Sequence, residues 1–318
     1  GETWLQGEQH QLSTFEKSFL VAGRNVIAAH CHNTTGGAYV DFGLFENIMK
    51  TGETIDKAVQ KSVDVLATST YYTFACGPVE LDLVFTAPML MDDLDLLSTP
   101  VNYLSYQVRS TDGKEHNVQF YFATSPQLTV NEMSQPTRSA IMTESGVQYI
   151  RSGSVAQPVL GTAGDLISID WGYLYIPAVN GTVSMGNAGQ VENHFTMTGQ
   201  LPDYNSTVTS TEQASMPTLA YMRDFGSTKS SRSFMLIGYD EIKDIRYMDV
   251  DYKGYWARNG KTITQAFEEL RDNYRTIMDR CREQDKTIYD DALKSGNDKY
   301  AELLSGSYRH VLAAHKLF

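Results

Sequence analysis

From Thr68 onward, apolar and polar residues alternate with period two over long stretches. Tyr71-Tyr72-Thr73-Phe74 leads into a Cys76-Gly77-Pro78 turn, and Val79-Glu80-Leu81-Asp82-Leu83 then alternates apolar with acidic side chains. That is the pattern of a strand with one face in a core and one in water. Tyr103 to Val108 and Val118 to Phe122 flank Asp112-Gly113, which predicts a hairpin with a bulged loop. Ile167 to Tyr175 predicts a strand with Ile167, Ile169, Trp171, Tyr173 and Tyr175 on one face and Ser168, Asp170 and Gly172 on the other. Between Asn180 and Thr211, Gly, Asn, Ser and Thr dominate, which predicts long loops or short edge strands. Phe234-Met235-Leu236-Ile237 reads as a short, fully buried strand. Many strands at short spacing, without helical pattern between them, predict a large antiparallel β-sandwich.

After Asp240 the period changes. Ile263, Ala266, Phe267, Leu270, Tyr274, Ile277, Met278 and Cys281 follow the three-four spacing of one helix face. Thr262 with Gln265 three residues on is a capping-box start. Ser295-Gly296-Asn297 marks a break where Gly can take a left-handed cap conformation, and a second helix uses Tyr300, Leu304, Tyr308, Val311, Leu312 and His315. The expected organisation is a sandwich over 1–240, a linker over 241–261 and an αα-hairpin over 262–318. Two amphipathic helices cannot hide their apolar stripes alone, and the pattern is still helical at Phe318. A helical domain that continues in the natural protein is therefore expected.

Charge sharpens that division. The 318 residues carry 26 basic and 38 acidic side chains, a net charge of −12, which argues against a protein that tracks nucleic-acid phosphates. All of the net charge belongs to residues 1–240, with 12 basic and 24 acidic; residues 241–318 carry 14 of each. Dense mixed charge suits solvated helix faces, and sparse charge with many Thr, Ser and Tyr suits sheets. No apolar run reaches the roughly 18 residues a membrane helix needs. Cys31, Cys76 and Cys281 are too widely spaced to read as a disulfide framework, and three glycosylation sequons begin at Asn33, Asn180 and Asn205.

The residues from about Ala58 to Phe318 carry a resemblance. Its text is Thr68-Ser69-Thr70-Tyr71-Tyr72-Thr73-Phe74, Pro88, Asp92-Asp93-Leu94-Asp95-Leu96-Leu97-Ser98-Thr99-Pro100, and Ser110-Thr111-Asp112-Gly113. Gly164-Asp165, Ile169-Asp170-Trp171-Gly172-Tyr173, Tyr239-Asp240, Tyr255-Trp256 and Ser307-Tyr308-Arg309-His310 continue it in order. These motifs resemble the glutaminase A family of fungi and its bacterial relatives, which join a β-sandwich to a six-hairpin (α/α) toroid. His310 departs from the family, which usually has Gln there, and the first fifty or so residues match it poorly. The resemblance implies an extracytoplasmic hydrolase, secreted or periplasmic, that converts glutamine to glutamate and ammonia, with most of the toroid beyond Phe318. Because the toroid is shared with glycosidases, it also leaves open a glycoside hydrolase or a non-catalytic, glycan-binding sandwich. The expected partner is a small-molecule or glycan substrate; no cofactor is implied.

Candidate chemistry is thin. His30-Cys31-His32 lacks further ligands at zinc-site spacing, so no metal site is assigned. Asp92-Asp93-Leu94-Asp95 lacks the Gly and distal Glu of a calcium loop and reads as an acidic helix start. Asp170 and Trp171, and Tyr255, Trp256 and Arg258, combine carboxylate, aromatic faces and guanidinium, which suits sugar stacking or a carboxylate clamp. Packing in the core and against the linker is the competing use of those aromatics. Arg309 offers a substrate carboxylate a guanidinium, and His310 offers an imidazole for proton transfer. An interhelical ion pair or a solvated face is the competing role for these two. No catalytic pair follows from spacing alone.

Overall fold

A computed structural model describes residues 55–318 apart from 163, 165–166, 204–206 and 212. His30-Cys31-His32, the sequons at Asn33 and Asn205, and Asp165 lie outside the described residues. The described residues begin with a four-stranded meander: β1 (Val59–Val65), β2 (Ser69–Cys76), β3 (Val79–Thr86) and β4 (Val101–Ser110). Next, β5 (His116–Thr124) enters a second sheet, and β6 (Thr137–Glu144), β7 (Val147–Ser154) and β8 (Tyr173–Pro177) return to the first. The second sheet is completed by β9 (Thr182–Gly186) and β11 (Thr218–Thr228). The first gains β10 (Val208–Ser210) and β12 (Ser230–Asp240). Its order is β1-β2-β3-β4-β12-β8-β7-β6-β10, against β5-β11-β9 for the smaller sheet. A small ribbon, β13 (Ile245–Tyr247) with β14 (Val250–Tyr252), follows.

The helices are α1 (Leu94–Ser98), α2 (Ala188–Thr198), α3 (Ile263–Asp272), α4 (Tyr274–Ser295) and α5 (Asp298–Ala313). The fold is thus mainly antiparallel β with a C-terminal helical part. The capping box at Thr262 forms as the sequence predicts: the Thr262 Oγ1 accepts from the Gln265 amide, and the Gln265 side chain accepts from the Thr262 amide.

Large side chains fill both faces of the central strands. Leu104 and Tyr106 of β4, Ile150 of β7, Leu174 and Ile176 of β8 and Met235 of β12 pack against the smaller sheet. Val101 and Tyr103 of β4, Tyr149 of β7, Tyr175 of β8 and Leu236 of β12 face the other way, against α3 and α4. There Phe267 meets the Tyr149 and Tyr175 rings at 5.8 and 6.4 Å. Gly238 permits this seat, because a Cβ would lie 2.8 Å from the Phe267 ring and 2.9 Å from the Pro100 carbonyl. The Tyr103 hydroxyl donates to the Leu270 carbonyl at 2.7 Å, so its polar end is satisfied within the same layer.

Several local readings change. Tyr103–Val108 and Val118–Phe122 do not pair, because β5 crosses to the other sheet; β4 lies between β3 and β12. The strand expected over 167–175 begins only at Tyr173. Gly172 turns the chain there with φ +82°, and a Cβ on it would clash with the Asp240 carbonyl. The polar stretch after Asn180 contains α2, anchored by buried Val191. The helix expected through Cys281 breaks at Asn273 while keeping one buried face across the break. Gly296 has φ −155° and ψ −121°, so it does not take the left-handed conformation. On α5 the innermost residues are Ala301 and Ser305; of the expected stripe Leu304, Tyr308 and Leu312 are half-buried beside them, while Tyr300, Val311 and His315 are exposed.

Phe267 joins the two layers, which makes it the residue to test. Phe267→Ala is expected to lower stability by about 3–5 kcal/mol. In urea unfolding, far-ultraviolet and tyrosine signals should shift together to a lower midpoint. A shift in one signal alone would show that helices and sheet unfold separately.

Candidate functional site

The seven residues singled out from the sequence fall in three places. The first is the seam between the helical hairpin and the sandwich. Buried Asp285 of α4 accepts the Thr68 N–H at 2.5 Å, and the Thr68 hydroxyl donates to the Cys281 carbonyl at 3.4 Å. Arg309 of α5 donates from Nε to the Leu66 carbonyl (2.6 Å) and from Nη1 to the Thr70 hydroxyl (2.8 Å). Tyr308 donates to the Met89 carbonyl at 2.6 Å. Arg280 holds Asp93 (2.7 Å) and Asp92 (3.2 Å), and Asp93 also caps α1. Burial pushes the Asp285 carboxyl above its ordinary range, against the Thr68 hydrogen bonds and the charge of Arg309; burial lowers Arg309 in turn. Asp285 Oδ2 and Arg309 Nη2 are buried without a protein partner among the described residues. His310, one residue on, is exposed.

The second place surrounds Tyr239. Its hydroxyl donates to the Trp171 carbonyl at 2.7 Å, and the Trp171 indole donates to the Lys243 carbonyl at 3.0 Å. Asp170 is buried and accepts from the Gln135 amide at 2.7 Å. Nearby, Glu241 is paired with Lys316, and Asp244 accepts the Gly254 N–H at 2.7 Å. Burial raises both carboxyls. Between them Ile242 adopts φ +64°, a strained conformation for a β-branched residue. In the third place, Trp256 is buried in the core, while Arg258 lies 3.7 Å over the Tyr255 ring and grips Asp95 with both terminal nitrogens.

None of these seven residues lines the trough of about 1040 Å³ that runs between α4 and the sheet. Its floor is the helix-facing side of the sheet beyond the reach of α3: Thr73 of β2, Asp82 of β3, Ser105 and Gln107 of β4, and Arg232 of β12. Its wall is one face of α4, with Tyr274, Arg275, Met278, Asp279 and Arg282. One end reaches Asn180 and Arg223, past the edge of β12, which pairs with β8 only over Gly238–Asp240. Sequence reading missed these residues. The available signal was polar side chains at inward positions of facing strands: Asp82 opposite Gln107, and Gln107 opposite Arg232.

Among the described residues no helix is long and apolar enough to cross a membrane, and no cluster of His, Cys, Asp and Glu suits a metal ion. A family profile described as a domain of unknown function, DUF5127, matches residues 68–291. The chain is also similar to the protein called glutaminase A from Aspergillus oryzae (strain ATCC 42149 / RIB 40), with 26% identity over 274 residues. That alignment covers 81% of this chain and 39% of the Aspergillus protein, so the chain spans well under half the length of this curated relative.

The two buried polar places make different predictions. Arg309→Ala should cost about 1.5–3 kcal/mol in urea unfolding, the scale of hydrogen bonds from a charged donor. Arg258→Ala, which removes an exposed pair, should change the midpoint little. Glu241 binds its proton more tightly folded than unfolded, so its contribution to stability is present below the ordinary carboxylate pKa and is lost as pH rises through the raised value. Glu241→Gln should therefore gain stability relative to wild type between pH 4 and pH 7. An unchanged difference across that window would contradict the assignment.

Proposed function

The chain belongs to the DUF5127 family, and from that premise we propose that it forms the sandwich and first helices of a hydrolase related to glutaminase A. The reaction proposed for that hydrolase is hydrolysis of the side-chain amide of L-glutamine to L-glutamate and ammonia, outside the cytoplasm. The observation that carries this reading is the two-sidedness of the helical hairpin. Its inner face is bound to the sandwich through Asp285, Arg309 and Arg280. Its outer face leaves Tyr300, Leu303 and Val311 exposed by 43, 65 and 57%. Apolar side chains grouped on a helix face in this way suit burial against further helices. In this reading residues 1–240 are the sandwich, 241–261 the linker and 262–318 the start of an (α/α) toroid.

Side chains already committed to the seam or the core act here as positioning groups: Arg309, Trp171 and Trp256 hold the hairpin and linker in register with the sandwich, and Asp170 ties the chain before Trp171 to Gln135. Arg258, Tyr255 and His310 retain solvent access at the helical end and are the substrate-contact candidates of the proposal. The experiment compares the proposed longer protein, carrying the whole toroid, with the 318-residue chain on L-glutamine, reading ammonia with a coupled glutamate dehydrogenase assay. Ammonia release by the longer protein and none by the 318-residue chain is the expected result. Reducing-sugar release from oligosaccharides without ammonia would replace the amidohydrolase reading with the glycosidase one.

A further inference from the structure

We propose that the trough between α4 and the sheet binds an acidic oligosaccharide. Charge is the first argument. Of the five guanidinium groups that line the trough, Arg109 is taken by Glu80 and Asp82, and Arg282 by Asp279. Arg223, Arg232 and Arg275 have no carboxylate partner among the described residues. Arg223 packs over the Phe225 ring at 5.7 Å, and its Nε is buried without a hydrogen-bond partner. Arg232 rises from the floor and Arg275 from the α4 wall, so positive charge stands on two separate elements around one opening. In a chain of net charge −12 this local excess is set against the global field. A ligand bearing several carboxylate or sulfate groups would receive bidentate hydrogen bonds from it.

Size and lining narrow the class. A volume of about 1040 Å³ sits at the upper end for small-molecule sites, which suits several linked rings better than one amino acid. Between the arginines the lining offers hydroxyls and amides: Thr73, Ser105 and Gln107 on the floor, and Ser233 from the other face of β12 at its open edge. Such groups both donate and accept, which matches a hydroxyl-rich ligand. The competing occupant is an acidic peptide added as a strand along the open side of β12. Asn180 stands in that path: its side-chain amide donates to the Phe234 carbonyl at 3.2 Å, occupying the acceptor an added strand would need.

The test is isothermal titration of the 318-residue chain with tetragalacturonate, a chondroitin sulfate tetrasaccharide, neutral cellotetraose and tetraglutamate. Binding of an acidic sugar that weakens with added salt is expected, and the preferred sugar identifies the anion as carboxylate or sulfate. Arg232→Ala and Arg275→Ala should each weaken it by about tenfold, the loss of one charge-assisted contact. Arg246→Ala, outside the trough, should not change it, and circular dichroism should show all three variants folded. No binding of either acidic sugar, equal binding of cellotetraose, tighter binding of tetraglutamate, or full affinity in both trough variants would each overturn the proposal.

Discussion

A sheet whose central strands carry bulky apolar side chains on both faces has to be covered twice, and the rest of the architecture answers that requirement. The smaller sheet covers Tyr106, Ile150, Ile176 and Met235. The helices cover Tyr103, Tyr149, Tyr175 and Leu236. Each layer removes apolar surface from water that the other cannot reach, worth roughly 25 cal/mol per Å². The helical part is therefore integral to the sandwich. The trough lies where this second cover ends and the inward positions of the strands turn polar.

The seam adds direction to that cover. Apolar packing alone would let a helical hairpin slide or rotate on a sheet, whereas Asp285 and Arg309 can meet Thr68, Leu66 and Thr70 in one register. Burying these charges costs desolvation, visible in the opposite displacement of the two pKa values. Such groups define orientation more than they add stability. The same logic explains why motifs far apart in the chain sit together: Thr68-Ser69-Thr70, Asp92-Asp93 and Tyr308-Arg309 are two sides of one contact.

Much of the fold was legible because period-two and period-three-four patterns are local. The β2–β3 alternation, the buried core of β12 and the Thr262 cap all appear where their residues predict. Readings that required knowing a partner did not survive. Asp112-Gly113 marks a turn, but whether the flanking strands pair or part is decided by β11 and β12, more than a hundred residues away. α2 was hidden by loop-like composition and is held by Val191 in the core. The trough was illegible for a similar reason. Asp82, Gln107, Arg232 and Arg275 are unremarkable singly, and become a site only when three strands and a helix bring them to one opening.

By itself, then, the sequence determined the class of the protein: an acidic β-rich body, neutral helices after Asp240, their caps and their amphipathic stripes. Each of these depends on side chains a few residues apart, where backbone geometry leaves little choice. Only the tertiary structure decided which strands share a sheet, that the main sheet is covered on both faces, and that Arg309 serves the seam. It also decided that three arginines without carboxylate partners among the described residues line one trough. Those outcomes depend on burial and on charges drawn from distant segments, and a linear pattern carries no record of which segments meet.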